Sequence, residues 1–174
     1  MRKTAIAVAS LALATLGVVA PGTTAQAVQT GDTRIMGETC DYWYNVYSPW
    51  QGGVRVPDGK VRAWADTDCR GDYLGETAGD DADWGDASGG FQGSDNDRAS
   101  SVMNNGKEDA YDVVAFYRLP GGSAAWAGGY NCLKRTELYD DNLTNDTFTT
   151  GENMNDRISS HAWVTEGGCS KFMS

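Results

Sequence analysis

The sequence has few of the residues that most catalytic and metal centres require. It contains a single histidine, His161, and its four cysteines include no C-x-x-C pair. The motifs G-x-S-x-G and H-E-x-x-H are also absent. Basic residues are outnumbered, 14 against 24 acidic ones, which disfavours nucleic acid and anionic membranes as partners because both attract clustered positive charge. These absences predict a protein that is not an enzyme and binds no nucleic acid.

Long apolar runs are absent except near the amino terminus. A cationic start, residues 1–3, precedes an uncharged apolar run from Ala5 to Ala20, and Ala25–Ala27 offers small residues to a signal peptidase. We therefore predict a signal peptide over residues 1–27 and a secreted, extracellular mature chain of 147 residues from Val28. The alternative is a membrane anchor, but the run is shorter than the roughly 20 residues that span a bilayer.

Loss of the leader changes the formal charge from −10 to −12, and 147 residues suffice for one domain or two closely packed halves. We expect this mature protein to be a monomer with no membrane contact.

The four cysteines predict two disulfides, because their number is even and the chain is exported. Structural zinc is disfavoured by their wide spacing. Three pairings are compatible with the sequence. If each bridge closes within one half of the chain, Cys40 pairs with Cys69 and Cys132 pairs with Cys169.

No stretch of ten or more residues has apolar positions at helical spacing, so we expect helix to be a minor component. Short strand-like segments recur instead between Gly- and Asp-rich turns. This pattern predicts an all-β Greek-key sandwich. The predicted strands are Lys60–Ala65, Tyr111–Leu119, Leu133–Tyr139 and His161–Thr165.

One hexapeptide occurs twice, 59 residues apart and identical at five of six positions. The copies are Asn96-Asp97-Arg98-Ala99-Ser100-Ser101 and Asn155-Asp156-Arg157-Ile158-Ser159-Ser160. Both fit the Asn/Asp-Asn/Asp-x-x-Ser/Thr-Ser pattern of the βγ-crystallin superfamily, which the chain resembles. Upstream of the first copy, Trp64, Cys69 and Gly71 are similar to that family's aromatic hairpin. Upstream of the second, Phe116 or Tyr117 precedes Trp126 and Gly128 with several extra residues between them.

The resemblance implies a βγ-crystallin-type sandwich of two Greek-key motifs over residues 61–174, with motif one at about 61–105 and motif two at about 111–165. Residues 28–60 form an N-terminal extension rich in aromatics between Tyr42 and Trp50. We favour an extension packed on the sandwich and tied by Cys40. The alternative is an exposed aromatic surface for a partner.

The resemblance also implies calcium sites, since the family's calcium-binding members use such hexapeptides and Ca²⁺ prefers oxygen ligands. By position, the expected ligands are Asn96, Asp97, Ser100, Asn155, Asp156 and Ser159. Each site would have few carboxylates and hence modest affinity. The alternative is that these side chains only hydrogen-bond the turns, a role that we expect for Ser101 and Ser160. The acidic segment 80–86 is interpreted as a solvated loop or a weak ion site.

A second functional class is open. The exported, disulfide-bearing chain also resembles small secreted bacterial peptidase inhibitors of this fold, including inhibitors of metalloproteases. That resemblance implies an extracellular protease as a partner, or a toxin-like binding role, although no residue identifies a reactive loop. His161 is expected on a strand rather than as a catalytic base.

Overall fold

A computed structural model of the chain describes residues 39–121 and 128–174. The predicted leader and residues 28–38 of the extension lie outside these ranges. Within them, no helix is long and apolar enough to cross a membrane. The elements, in chain order, are α1 (Cys40–Tyr47), β1 (Trp50–Gln51), β2 (Val54–Arg55), β3 (Lys60–Asp66), β4 (Arg70–Thr77), β5 (Ser101–Asn105), β6 (Val113–Tyr117), β7 (Tyr130–Leu133), β8 (Tyr139–Asp140) and β9 (Ser160–Val164).

Two antiparallel sheets form the body of the protein. One has the strand order β4-β3-β5-β8 and the other β7-β6-β9. In each half, the first two strands form a hairpin, and the first strand also pairs with the last strand of that half. The third segment of each half crosses to the other sheet. Thus β8 joins the first half's sheet, while Asp81 pairs with His161 of β9. The predicted all-β fold of two Greek-key motifs is confirmed.

The core lies between the two sheets, and both contribute side chains to it. Val61 and Val102 project from one sheet, and Val114 and Phe116 from the other, into a single buried cluster. The crossing loops add large apolar groups to the same cluster, among them Trp84. Burying aromatic and branched side chains is the main source of stability in a domain of this size.

Each sheet's outer face is covered by a terminal segment that a disulfide holds in place. Cys40 of α1 is bonded to Cys69 next to β4, and Cys132 of β7 is bonded to Cys169 near the carboxyl terminus. Both pairs are those expected if each bridge closes within its own half. A disulfide stabilises mainly by restricting the unfolded chain, so the two bridges keep the covering segments close to the sheets.

The aromatic extension packs mainly against the sandwich. Trp43 stacks on Tyr47, and the guanidinium of Arg62 in β3 lies 3.6 Å from the centre of the Tyr47 ring. The packed arrangement is therefore the one that the structure contains, although Tyr42 and Trp50 stay exposed.

Two secondary-structure expectations were wrong. The segment Leu133–Tyr139 is not one strand: β7 ends at Leu133, a 3₁₀ turn covers Arg135–Glu137, and β8 begins at Tyr139. Leu138 adopts a φ of 68°, which breaks the extended conformation there. The predicted set of strands was also incomplete, because it lacked β4 and β5 as well as the two-residue strands β1 and β2.

Candidate functional site

The two hexapeptides form turns that interlock across the sandwich. Asp97 and Asp156 both have a φ of 54°, a left-handed conformation that Asp tolerates better than most residues. The backbone N–H of Asp97 donates to the carbonyl of Ile158, and that of Asp156 donates to Ala99, both at 3.0 Å. The pairing is reciprocal, so each turn is held by the other half of the protein.

The predicted ligand oxygens meet between these turns. Ser159 Oγ lies 3.2 Å from Asp97 Oδ1, and Ser100 Oγ lies 3.4 Å from Asp156 Oδ1. We call these the Asp97–Ser159 pair and the Asp156–Ser100 pair. Each takes its carboxylate from one half and its hydroxyl from the other. A ligand bound at either pair would therefore bridge the two Greek-key motifs.

The first residue of each hexapeptide holds an unused acceptor. The Oδ1 atoms of Asn96 and Asn155 are buried, and neither accepts a hydrogen bond from any described residue. Buried polar atoms are rarely left unpaired because desolvation costs about 1–3 kcal/mol for each group. The same acceptor atom is available at the same position in both turns, where it fits an oxygen-coordinated ion.

The spacing within the pairs suits a shared cation better than a strong hydrogen bond. A hydroxyl that donates to a carboxylate normally does so at about 2.5–2.7 Å, shorter than both observed distances. Two oxygens at about 2.4 Å from one Ca²⁺ and at right angles lie about 3.4 Å apart. In the described residues, no group of three or more His, Cys, Asp or Glu could hold a metal ion. Amide, hydroxyl and carbonyl oxygens would have to complete either site.

The last serine of each hexapeptide has the structural role expected of it. Ser101 Oγ donates to the carbonyl of Asp66, and Ser160 Oγ to that of Leu119, both at 2.7 Å. These bonds fix the strand that follows each turn to the hairpin that precedes it.

The predicted hairpins have the geometry that their sequences require. Gly71 has a φ of 73°, and a Cβ there would meet the Asp66 carboxyl at 2.6 Å. The rings of Trp64 and Tyr73 contact edge to face. Cys69, which lies between the two strands of this hairpin, forms the bridge to the extension.

In the second hairpin, a Cβ on Gly128 would meet Leu119 at 2.6 Å. Trp126 lies outside the described residues.

His161 lies on β9, as predicted, and both ring nitrogens are engaged. Its Nδ1 accepts from the Trp84 indole N–H at 2.9 Å, and its Nε2 lies 3.1 Å from the Gly79 carbonyl, to which it donates. Complete burial lowers the pKa of His161 to about 4. The neutral ring therefore joins the crossing loop to the second sheet and has no free nitrogen for catalysis.

The acidic segment 80–86 is only partly a solvated loop. Asp81 is buried, and its Oδ2 accepts the backbone N–H groups of Gly90 and Phe91 at 3.0 and 3.1 Å. The interpretation as a solvated loop was wrong for this residue because a carboxylate that accepts several backbone N–H groups can be buried at little cost. Asp83 and Asp86 each cap a nearby turn.

Two further features escaped the sequence reasoning. Arg118 reaches the Asp97–Ser159 pair, with Nη1 3.5 Å from Asp97 Oδ1. Asp140 and Asp146 form a buried carboxyl pair. Burial and the hydrogen bond with Asp146 raise the pKa of Asp140 to about 7. If the 59-residue offset of the hexapeptides is extended upstream, Asp81 aligns with Asp140. That alignment would have pointed to the carboxyl pair that contains Asp140.

No family model matches the chain, and no curated protein matches it. Among solved structures, the chain is similar to one described as "Evolution of the eye lens beta-gamma-crystallin domain fold", with 25% identity, 62% of this chain and 86% of that chain covered, and a TM-score of 0.40. It is also similar to a beta gamma crystallin from Ciona intestinalis (17% identity, 60% and 99% covered, TM-score 0.40). A betagamma-crystallin from an archaeon gives 16% identity, 60% and 96% covered, and a TM-score of 0.39.

Proposed function

We propose that the mature protein is a secreted calcium-binding protein without enzymatic activity, in which ions at the two interlocked turns join the Greek-key motifs. The observation that carries this proposal is the repeated set of oxygens. Each turn region combines an Asp–Ser pair drawn from both halves with a buried asparagine oxygen that accepts no hydrogen bond in the described part of the chain.

The serine of the Asp97–Ser159 pair also has a lone pair to offer. Ser159 Oγ lies within hydrogen-bond distance of both Asp97 Oδ1 and the Arg118 carbonyl, at 3.2 and 3.1 Å. A hydroxyl has one proton, so it can donate to only one of them. If the proton goes to the carbonyl, the hydroxyl oxygen and the carboxylate face each other as two acceptors. A divalent cation between them removes that conflict.

Calcium would stabilise the fold by mass action. The carboxylate and the hydroxyl of each pair come from different halves, so the unfolded chain offers no such site and the ion binds only the folded state. With one carboxylate in each pair, we expect dissociation constants of about 10⁻⁴–10⁻³ M, as in extracellular calcium modules. At ten times the dissociation constant, each site would then contribute about 1.4 kcal/mol.

Thermal melting with and without calcium tests this role. Addition of 10 mM CaCl₂ to the metal-free protein should raise its melting temperature by several degrees, and Asp97→Ala with Asp156→Ala should remove the increase. The matched control is Asp72→Ala with Glu108→Ala, which deletes two carboxylates from exposed side chains. The control should keep the full increase. An increase that persists in the first double variant would place the ions elsewhere.

The two disulfides are compatible with an exported protein, because such bonds form and persist in oxidising compartments. The peptidase-inhibitor alternative stays a prediction. Incubation with a panel of secreted metallo- and serine proteases tests it, and saturable, stoichiometric inhibition would favour it over calcium binding.

A further inference from the structure

The two candidate calcium sites differ at one equivalent position. Trp64 pairs with Ser101 across β3 and β5, and Tyr117 pairs with Ser160 across β6 and β9. The residue that follows Trp64 or Tyr117 is Ala65 in one half and Arg118 in the other. The backbone hydrogen bonds next to this position match in the two halves. Ser100 donates its N–H to the Trp64 carbonyl at 2.9 Å, and Ser159 donates its N–H to the Tyr117 carbonyl at 3.0 Å.

Arg118 places positive charge beside the Asp97–Ser159 pair. Its Nη1 lies 3.5 Å from Asp97 Oδ1, and its Nε lies 3.2 Å from the Glu152 carboxylate. Glu152 is held in turn by Arg157, at 2.9 Å. The guanidinium therefore already supplies part of the charge that a cation would bring to Asp97, and a second carboxylate keeps it close.

The Asp156–Ser100 pair has no such neighbour. Ala65 has no side chain that could reach it, and no basic group of a described residue forms an ion pair with Asp156. Arg98, which matches Arg157 in the repeat, is paired with Asp72 at 2.6 Å. Within residues 39–121 and 128–174, the only other side-chain hydrogen bond to this carboxylate is donated by the Asn155 amide, at 2.7 Å.

We propose that Arg118 is an internal competitor for the cation at the Asp97–Ser159 pair, so that the two sites bind calcium unequally and the Asp156–Ser100 site fills first. This inference rests on the proposed calcium function. A divalent ion entering the Asp97 site meets a like charge close by and has to displace the guanidinium towards Glu152. Both effects weaken binding, and we expect a difference of about tenfold or more between the two dissociation constants.

Calorimetric titration of the metal-free protein with CaCl₂ tests the inequality. The wild type should show one stronger and one weaker step. Asp156→Ala should remove the stronger step, and Asp97→Ala the weaker one. Arg118→Gln, which keeps most of the side-chain length without the charge, should strengthen the weaker step by about tenfold. Arg118→Ala provides a second neutral variant, and melting in chelator establishes that each variant is folded.

The mirror variant is Ala65→Arg, which should weaken the stronger step and leave the weaker one unchanged. If that variant does not fold, the Arg118→Gln titration decides alone. Two equal steps in the wild type that Arg118→Gln leaves unchanged would overturn the inference but keep the calcium function. An absence of binding in both the wild type and Arg118→Gln would overturn both.

Discussion

Asp81 and Asp140 occupy equivalent places in the two halves, but their carboxyl groups are accommodated differently. Asp81 pairs with His161 in β9, and Asp140 pairs with Val102 in β5, at matching positions 59 residues apart. Both are buried. The Oδ2 atom of Asp81 accepts two backbone N–H groups, and its Oδ1 accepts a third from Asp83 at 3.2 Å. Three backbone N–H groups therefore satisfy the buried carboxyl group of Asp81.

Asp140 has only one such donor on the corresponding loop, the N–H of Asn142 at 3.0 Å. Its other partner is the carboxyl group of Asp146, which is also buried. Burial and the neighbouring carboxyl group of Asp146 raise the pKa of Asp140 to about 7. The same repeated position is therefore held by backbone N–H groups in one half and lies against a second carboxyl group in the other.

The largest effect should follow from loss of the Asp81 carboxylate. Asp81→Ala leaves three backbone N–H groups without their acceptor, and we expect a loss of about 3 kcal/mol in the free energy of unfolding. Denaturant unfolding at pH 7 measures it. The control is Asp83→Ala, whose carboxylate accepts the N–H of Gly85 and which should lose under 1 kcal/mol. Equal losses in the two variants would contradict the role given to Asp81.

A smaller, pH-dependent effect should come from Asp140. Because its folded-state pKa of about 7 lies above the ordinary 3.8, its stabilising contribution is present at pH 4 and is lost as pH rises towards 7. Asp140→Asn keeps a hydrogen-bond donor for Asp146 and does not ionise. Between pH 5 and pH 8, the wild type should lose about 2 kcal/mol relative to this variant.

Denaturant unfolding at several pH values measures this difference, with Asp141→Asn as the neighbouring control. Parallel stability curves for wild type and Asp140→Asn would contradict the raised pKa of Asp140.

His161 should make the free energy of unfolding depend on pH in the opposite direction to Asp140, with a slightly smaller effect. Its folded-state pKa of about 4 lies below the ordinary 6.5, so its contribution is present above pH 6.5 and is lost as pH falls towards 4. His161→Asn should gain about 2 kcal/mol relative to the wild type between pH 7 and pH 5. In the wild type, the Asp140 and His161 slopes largely offset each other. If the free energy of unfolding of the wild type falls below pH 6.5 as steeply as the pKa shift of His161 alone requires, the two contributions do not offset each other.

The repeat made much of this architecture predictable. A hexapeptide that recurs after 59 residues predicts two similar motifs, and the structure brings the two copies together as interlocked turns. Strand β5 could not be predicted from alternation, because all five of its residues are buried. Its Asn104 and Asn105 find partners far along the chain, at the Leu133 carbonyl and the Tyr47 carbonyl. Such contacts have no local sequence signal.

The difference between Arg118 and Ala65 beside the two Asp–Ser pairs was also hidden from the sequence. Arg118 and Ala65 are not equally spaced from their hexapeptides, so only the strand register identifies them as equivalent. The same holds for the raised pKa of Asp140, because burial of Asp140 and Asp146 depends on how the crossing loop packs. The hexapeptide residues could be predicted from the sequence, but the charged groups that the fold brings close to other carboxyl groups could not.

The calcium account is tested most directly by following backbone amide resonances while CaCl₂ is added to the metal-free mature protein. The account predicts saturable shifts concentrated in residues 96–101 and 155–160, with those nearest the Asp156–Ser100 pair changing at lower calcium concentrations. Unchanged spectra up to 10 mM CaCl₂, or shifts confined to another acidic segment such as residues 80–86, would contradict it.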